Sequence, residues 1–115
     1  MAFPDMIRFA LGIAALAASA VAPAAQGDAA AGKQKSSMCA GCHGIPGYKT
    51  TFPEVYSVPK LGGQHAAYIV KALQEYRAGN RAHPTMRAIA AGLTDQDVAD
   101  LAAYYASEST RSAAK

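Results

Sequence analysis

The chain has 115 residues, enough for one ordinary domain. It carries 11 Lys and Arg against 8 Asp and Glu, a formal charge of +3, with 17% charged residues, 51% hydrophobic residues and no Trp. This composition excludes an acidic disordered tail, a collagen-like repeat and a disulfide-dense scaffold.

The first 24 residues have the pattern of a secretory signal peptide. Arg8 precedes an uncharged, largely apolar run from Phe9 to Ala18, and small residues follow at the spacing of a cleavage site. We expect cleavage between Ala20 and Ala25, so that residues 1–24 are the signal peptide and residues 25–115 form the folded domain. Such a leader predicts export to the periplasm.

A retained membrane anchor is the alternative interpretation of this leader. Gly12, Ser19 and Pro23 interrupt the stretch, which falls short of the roughly 20 strongly apolar residues of a spanning helix. Removal of the leader takes away one charge of each sign, Asp5 and Arg8, so the domain keeps its +3. An excess of three is much less than the clustered basic face of a nucleic-acid-binding protein, and we expect no nucleic-acid partner.

Two helices are predicted in the first two thirds of the domain. Asp28 is a suitable N-cap for a short helix reaching about Met38. A second helix spans about Gln64 to Ala78, where apolar side chains recur at helical spacing, and Gly79 supplies its C-terminal stop.

A third helix begins at Thr94, because Asp97 lies three residues further on and completes a capping-box-like pair. Its apolar face contains Val98, Leu101, Ala102 and Tyr105. One further helical turn is possible between Ile89 and Ala91. The pattern is therefore all-α, with no strand-like alternation.

The segment from Gly44 to Gly63 is unusual because it is rich in Gly and Pro yet also apolar. Its Gly and Pro residues exclude a long helix, and its Tyr, Phe and Val side chains do not suit a solvated linker. A structureless loop of about 20 residues inside a compact domain is normally functional. Three short helices offer this loop little surface to pack on, which suggests a bulky non-protein group.

The motif Cys39-Ala40-Gly41-Cys42-His43 indicates what that group is. Two thiols at this spacing can form thioethers to the two vinyl groups of one porphyrin, and the adjacent imidazole can then ligate the iron. We therefore interpret C-x-x-C-H as a c-type haem attachment site holding one covalent haem c, with Cys39 and Cys42 as the attachment residues and His43 as the proximal iron ligand.

Other uses of two close cysteines remain as alternatives: a disulfide, a redox dithiol or half of a zinc site. A zinc site would need two more ligands, and the chain could offer only His65 and His83 for them. A thioredoxin-like dithiol would need a βαβ pattern, which the sequence lacks.

The distal iron ligand has four candidates once the leader is removed: Met38, Met86, His65 and His83. Met38 directly precedes the attachment cysteines and belongs to the proximal side. We favour Met86, which we expect in a loop leaving the second helix that crosses the distal face of the ring, although methionine also serves as a flexible core filler. His83 is the second choice, and His65 is expected to be a polar residue that opens a helix.

The sequence resembles the class I cytochromes c, in particular the small periplasmic bacterial ones whose domains also occur in tandem in dihaem cytochromes. The resemblance covers the whole domain, in five stretches: Gly32, Cys39 to Gly44, Pro59 to Tyr68, the Met86 segment and Leu93 to Tyr105. It implies the class I cytochrome c fold, three main helices and a long loop wrapped around one haem.

The same resemblance assigns roles to two further residues. Gly32 would let the first and last helices cross closely. The backbone carbonyl of Pro59 would accept a hydrogen bond from His43 and fix the orientation of that ligand, with Pro46 as the weaker candidate. This chain carries extra residues between His43 and Pro59 compared with shorter members. The positions of Tyr48, Thr50, Thr51 and Tyr56, possible haem-propionate partners, are therefore open.

With both axial positions filled, the expected function is one-electron transfer in the periplasm and not enzyme catalysis. Partners would be redox proteins such as a quinol-oxidising complex and a terminal oxidase or reductase, with membrane contact only through them unless the leader is retained. Cations that could surround an exposed haem edge are Lys33, Lys35, Lys49, Lys60 and Arg87. The alternatives are a haem peroxidase or gas sensor with a labile Met86, and a permanent haem subunit of a respiratory complex.

Overall fold

The computed structural model describes residues 25–52 and 54–112. The predicted signal peptide, residues 1–24, lies outside them, so its cleavage stays a prediction. The described part contains five helices and one two-stranded sheet, in the order α1 (Ala29–Lys35), α2 (Ser37–His43), β1 (Lys49–Thr50), β2 (Tyr56–Ser57), α3 (Ala66–Ala78), α4 (Pro84–Ala91) and α5 (Asp95–Ser112). None of the helices in these ranges is long and apolar enough to cross a membrane.

The predicted first helix is two helices that meet at Ser36. Asp28 caps α1 as expected, accepting a hydrogen bond from the Ala30 N–H at 2.9 Å. The Ser36 hydroxyl donates to the Lys33 carbonyl at 2.8 Å and its own N–H bonds the same oxygen. Serine that bonds back to the preceding turn competes with the helical ladder. Helix α2, which carries the C-x-x-C-H motif, starts after it.

Helices α1 and α5 cross with direct backbone contact at Gly32. A Cβ at this position would overlap the carbonyl oxygen of Asp100 and would lie 2.8 Å from the Tyr104 Cβ. Only a residue without a side chain allows such an approach. The role that the family resemblance implied for Gly32 is the one that the structure shows.

A buried carboxylate holds the same crossing together. The Asp100 side chain, 4% exposed, accepts hydrogen bonds from the Asp28 N–H at 2.8 Å, the Lys35 Nζ at 2.6 Å and the Gln96 Nε2 at 2.8 Å. Lys35 also pairs with Asp97 at 2.8 Å. The hydrogen bond from Lys35 lowers the pKa of Asp100 to about 2, and Asp100 in turn raises the pKa of Lys35. The N-terminal helix is thus tied to the last one.

Helix α3 ends where the sequence predicted, at Gly79, which adopts the left-handed conformation with φ of 83°. Helix α5 begins as predicted, because the Thr94 Oγ1 accepts from the Asp97 N–H at 3.1 Å and Asp97 accepts from the Thr94 N–H at 3.0 Å. These signals involve residues close together in the chain, which is why sequence reasoning found them.

Helix α4 corrects one prediction. The sequence suggested a single turn between Ile89 and Ala91 and a loop around Met86. The helix instead begins at Pro84, with His83 as its N-cap, so Met86 lies in the first helical turn. Proline at the first helical position loses no hydrogen bond, because that N–H has no intrahelical partner.

The long loop contains a second difference from the prediction. Strands β1 and β2 pair antiparallel in a small hairpin, with Lys49 opposite Ser57 and Thr50 opposite Tyr56. The Thr50 hydroxyl donates to the Glu54 carbonyl at 2.8 Å within the turn. At the other end, the Gly63 N–H donates to the Tyr105 carbonyl at 3.0 Å, which ties the loop to α5.

The hydrophobic core of the described part is small. Its buried apolar residues are Ile69, Ala90, Val98, Ala99, Leu101 and Ala102, of which three are alanine. A domain of this size already buries a modest fraction of its surface. The core is small, and a large number of aromatic side chains are only half-buried. The remaining apolar surface therefore lies around a cavity.

Candidate haem-binding site

The cavity has a volume of about 680 Å³ and lies between the long loop, α2, α3, α4 and α5. This is within the range of about 300–1,000 Å³ for ligand and cofactor pockets. Its walls are mostly aromatic and aliphatic, with contributions from Tyr48, Tyr56, Val58, Leu61, Tyr68, Ile69, Leu73, Tyr76, Ile89 and Leu101. The loop that seemed too apolar for solvent therefore forms one wall of this cavity.

Both cysteines of the C-x-x-C-H motif line the cavity from α2. Cys39 is half-buried, Cys42 is exposed, and both thiols are free, so the structure does not form the alternative disulfide. Among the described residues, no three His, Cys, Asp or Glu side chains converge to hold a metal ion, and the zinc alternative with His65 and His83 is not supported. The antiparallel hairpin is not a βαβ unit either.

Tyr105 contacts the attachment motif, which the sequence did not indicate. Burial raises the pKa of the Cys39 thiol, while a hydrogen bond from the Tyr105 hydroxyl lowers it by less. Burial, followed by the neighbouring Cys39, raises the pKa of Tyr105. Reactive dithiols have a lowered thiol pKa, so the surroundings of Cys39 do not favour a redox dithiol. A tyrosine on the apolar face of a helix, as Tyr105 is, needs a hydrogen-bond partner for its hydroxyl. This requirement is the signal in the sequence that could have pointed to the contact.

His43, the last residue of α2, makes one short hydrogen bond, between its Nδ1 and the Pro59 carbonyl oxygen at 2.7 Å. A carbonyl oxygen can only accept, so Nδ1 carries the proton and donates it. The lone pair is then on Nε2, the tautomer that a metal-binding histidine needs, with its other ring nitrogen fixed by a carbonyl. The structure thus brings together His43 and Pro59, not His43 and Pro46.

The four candidates for the distal ligand are not equivalent in the structure. Met86 and His83 both line the cavity and are half-buried. His65 is exposed at the N-cap position of α3 and does not line the cavity. Met38 lines it from α2, the helix of the attachment motif, and is 59% exposed.

One of the five cations expected around an exposed haem edge is not there. Lys35 is paired with Asp100 and Asp97 at the α1–α5 crossing and does not line the cavity, so the expectation is wrong for this residue. Lys60 lines the cavity, and Lys33, Lys49 and Arg87 are exposed. Arg81, which the sequence did not single out, also lines the cavity and lies 4.4 Å from the Tyr76 ring centroid.

These residues fit a covalent haem c. Two free thiols three positions apart, a histidine in the metal-binding tautomer and a methionine thioether all line one apolar cavity. Thioether and imidazole are the ligand pair of cytochromes c. Tyr48, Thr50, Thr51 and Tyr56 line the same cavity, although no contact assigns any of them to a propionate.

Comparison with known proteins gives the same result. The cytochrome c family model matches residues 29–108. The chain is 42% identical over 84 residues to cytochrome c4 of Pseudomonas aeruginosa, covering 73% of this chain but 40% of that protein. It is 42% identical over 85 residues to cytochrome c-554(548) of Halomonas halodenitrificans, covering 71% of this chain and 98% of that protein.

A solved structure shares the fold. The crystal structure of reduced recombinant cytochrome c4 from Pseudomonas stutzeri superposes with a TM-score of 0.57 at 33% identity, over 71% of this chain and 46% of that one. The chain thus spans about half the length or less of its cytochrome c4 relatives and nearly all of cytochrome c-554(548). The chain belongs to the cytochrome c family as a class I domain, with one covalently bound haem c.

Proposed function

We propose that the protein is a periplasmic one-electron carrier in which Cys39 and Cys42 attach the haem and His43 and Met86 ligate its iron. The observation that carries this proposal is that all four side chains line one apolar cavity, although Met86 comes from a different helix. The bound haem c supplies an iron that alternates between Fe(II) and Fe(III). The protein's part is to hold that iron with both axial positions filled and to keep water away from it.

The proximal side of the site is prearranged by backbone contacts. The Pro59 carbonyl fixes the ring of His43 by the 2.7 Å hydrogen bond. The loop that carries Pro59 is tied to α5 through the Gly63 N–H and the Tyr105 carbonyl. Gly63 has a φ of 87°, a conformation that favours glycine. These contacts keep the imidazole from turning, so little has to move when the charge of the iron changes.

On the distal side, Met86 lines the cavity and would hold the iron through its thioether. A thioether is a soft ligand and would favour the ferrous state, which would raise the potential. With His43 and Met86 both bound, oxygen and peroxide would have no place to bind. For this reason we propose an electron carrier and not a haem peroxidase or gas sensor.

Partners are proposed to be redox proteins, one donor and one acceptor, such as a quinol-oxidising complex and a terminal oxidase or reductase. Lys60, an exposed cation that lines the cavity, and the net charge of +3 favour acidic docking surfaces. Transient redox encounters use small interfaces of this salt-sensitive kind. Delivery to the periplasm would use residues 1–24 as a signal peptide, and its cleavage would release the domain.

The distal ligand is tested by replacing Met86→Ala, with Met38→Ala as the matched control on the same cavity. Met86→Ala should abolish the methionine–iron charge-transfer band of the ferric protein. It should also lower the midpoint potential by on the order of 0.1 V or more, well inside the span of about 0.8 V that axial ligands cover. Met38→Ala should leave both unchanged.

Equal effects of the two substitutions would contradict the ligand assignment. Rapid carbon monoxide binding by the reduced unmodified protein, together with a missing charge-transfer band, would favour the peroxidase or sensor. Purification only as part of a larger complex would favour a permanent respiratory subunit.

A further inference from the structure

The two histidines that line the cavity are held by opposite hydrogen bonds. His43 donates through Nδ1 to the Pro59 carbonyl at 2.7 Å, whereas the Nδ1 of His83 accepts from the Met86 N–H at 3.2 Å. A neutral imidazole has one N–H and one lone pair. The Nε2 of His43 therefore carries the lone pair, whereas the Nε2 of His83 carries the hydrogen.

The ring of His83 is also fixed by its neighbours. It is nearly perpendicular to the Tyr56 ring, with centroids 4.9 Å apart and an interplanar angle of 86°, and its centroid lies 6.1 Å from that of the Tyr76 ring. Arg81 in turn lies over the Tyr76 ring. Edge-to-face aromatic pairs of this kind favour one orientation, so the ring has little freedom to turn its Nδ1 away from α4.

From these contacts we infer that His83 is a positioning residue, which anchors the Met86 turn and by the same hydrogen bond keeps its own ring from replacing Met86 at the iron. To bind a metal through Nε2, His83 would have to move its proton to Nδ1. The Nδ1–H of His83 would then face the Met86 N–H, and because both groups are donors the N-cap hydrogen bond of α4 would be lost. The inference rests on the proposed function, since it takes Met86 as the ligand.

The position of the His83–Met86 hydrogen bond in α4 shows what its loss would do. Pro84 has no N–H, and Met86 is the third residue of α4, the position whose N–H an N-cap side chain normally satisfies. Without the cap, the first turn of α4 would open more often and release the thioether with it. Losses of an N-cap correspond to an increase of about 2- to 30-fold in the open population.

The test compares ferric holoprotein carrying His83→Ala, His83→Asn or no substitution, with free cyanide as the probe. Cyanide binds when the thioether has left, so its binding rate measures release of Met86. We expect His83→Ala to bind cyanide about 2- to 30-fold faster and to have a weaker methionine–iron band. Asparagine is a preferred N-cap, so His83→Asn should remain within about twofold of the unsubstituted protein.

Three results would overturn the inference: His83→Ala behaving like the unsubstituted protein, His83→Ala binding cyanide more slowly, or both variants losing the band alike. The last would show that capping is not what His83 does for Met86, since asparagine also caps helices. If His83→Ala does not mature, His83→Asn decides, because a retained band supports positioning and a lost band refutes it.

Met86→Ala separates this inference from the proposed function. A charge-transfer band that survives Met86→Ala, or is missing from the unsubstituted protein, refutes the ligand assignment, and the positioning role falls with it. A band that Met86→Ala abolishes but His83→Ala leaves intact refutes only the role of His83.

Discussion

Replacement of Gly32 by alanine tests how closely α1 and α5 approach. Helix propensity alone predicts a gain in stability of about 1 kcal/mol, because Gly32 lies in the middle of α1. The structure predicts the opposite sign. The new Cβ would overlap the Asp100 carbonyl oxygen and lie 2.8 Å from the Tyr104 Cβ, so part of the obstacle is backbone, which cannot turn aside.

The magnitude follows from these two opposing effects. Overpacking costs about 1–3 kcal/mol, and a backbone overlap belongs to the upper end of that range. Set against the propensity gain, Gly32→Ala should lower the free energy of unfolding by about 2 kcal/mol. For a domain of this size, that corresponds to a Tm about 8–16 °C lower.

The assay is guanidinium unfolding of ferric holoprotein, followed by circular dichroism, with the free energy taken from the midpoint and slope. Gly92→Ala is the matched control. A Cβ there would meet only the Ile89 carbonyl oxygen at 3.7 Å, and Gly92 has an ordinary φ of −84°. We expect the control to be neutral or slightly stabilising. A Gly32→Ala protein as stable as the unsubstituted one would refute the close crossing.

Two further predictions concern the buried carboxylate and the haem. Asp100 has a pKa of about 2 against a usual 3.8, so the unfolded chain binds more protons between these values and stability falls as pH drops from about 4 to about 2. Asp100→Asn should flatten this dependence in acid titrations of the holoprotein, and an unchanged slope would contradict the network. Replacing Cys39 and Cys42 by alanine should leave a chain without covalent haem and without a cooperative unfolding transition, because cofactor binding is linked to folding. A sharp melt of that haem-free variant would refute this expectation.

Local signals predicted the parts of the fold that depend on neighbours in sequence. Asp28, Gly79 and the Thr94–Asp97 pair are found as predicted, because each cap joins residues at most four positions apart. The C-x-x-C-H motif likewise places its three residues on a single short helix, α2.

The misplaced features depend on contacts that are distant in sequence or on residues with weak local signals. Helix α4 was missed because histidine is an uncommon N-cap, although Pro84 was a usable start signal. Lys35 was misplaced because its partner, Asp100, lies 65 residues away, and no local pattern reveals such a pair. The hairpin was missed because each of its strands has only two residues, too few to show alternation.

The central claim is that this chain folds around one covalently attached haem. The most direct measurement is the reduced pyridine–haem spectrum of exported protein together with its intact mass. The account predicts one haem c per chain, joined through both Cys39 and Cys42, on a chain that starts between residues 21 and 25. Exported protein that is folded, colourless and of unmodified mass would contradict it.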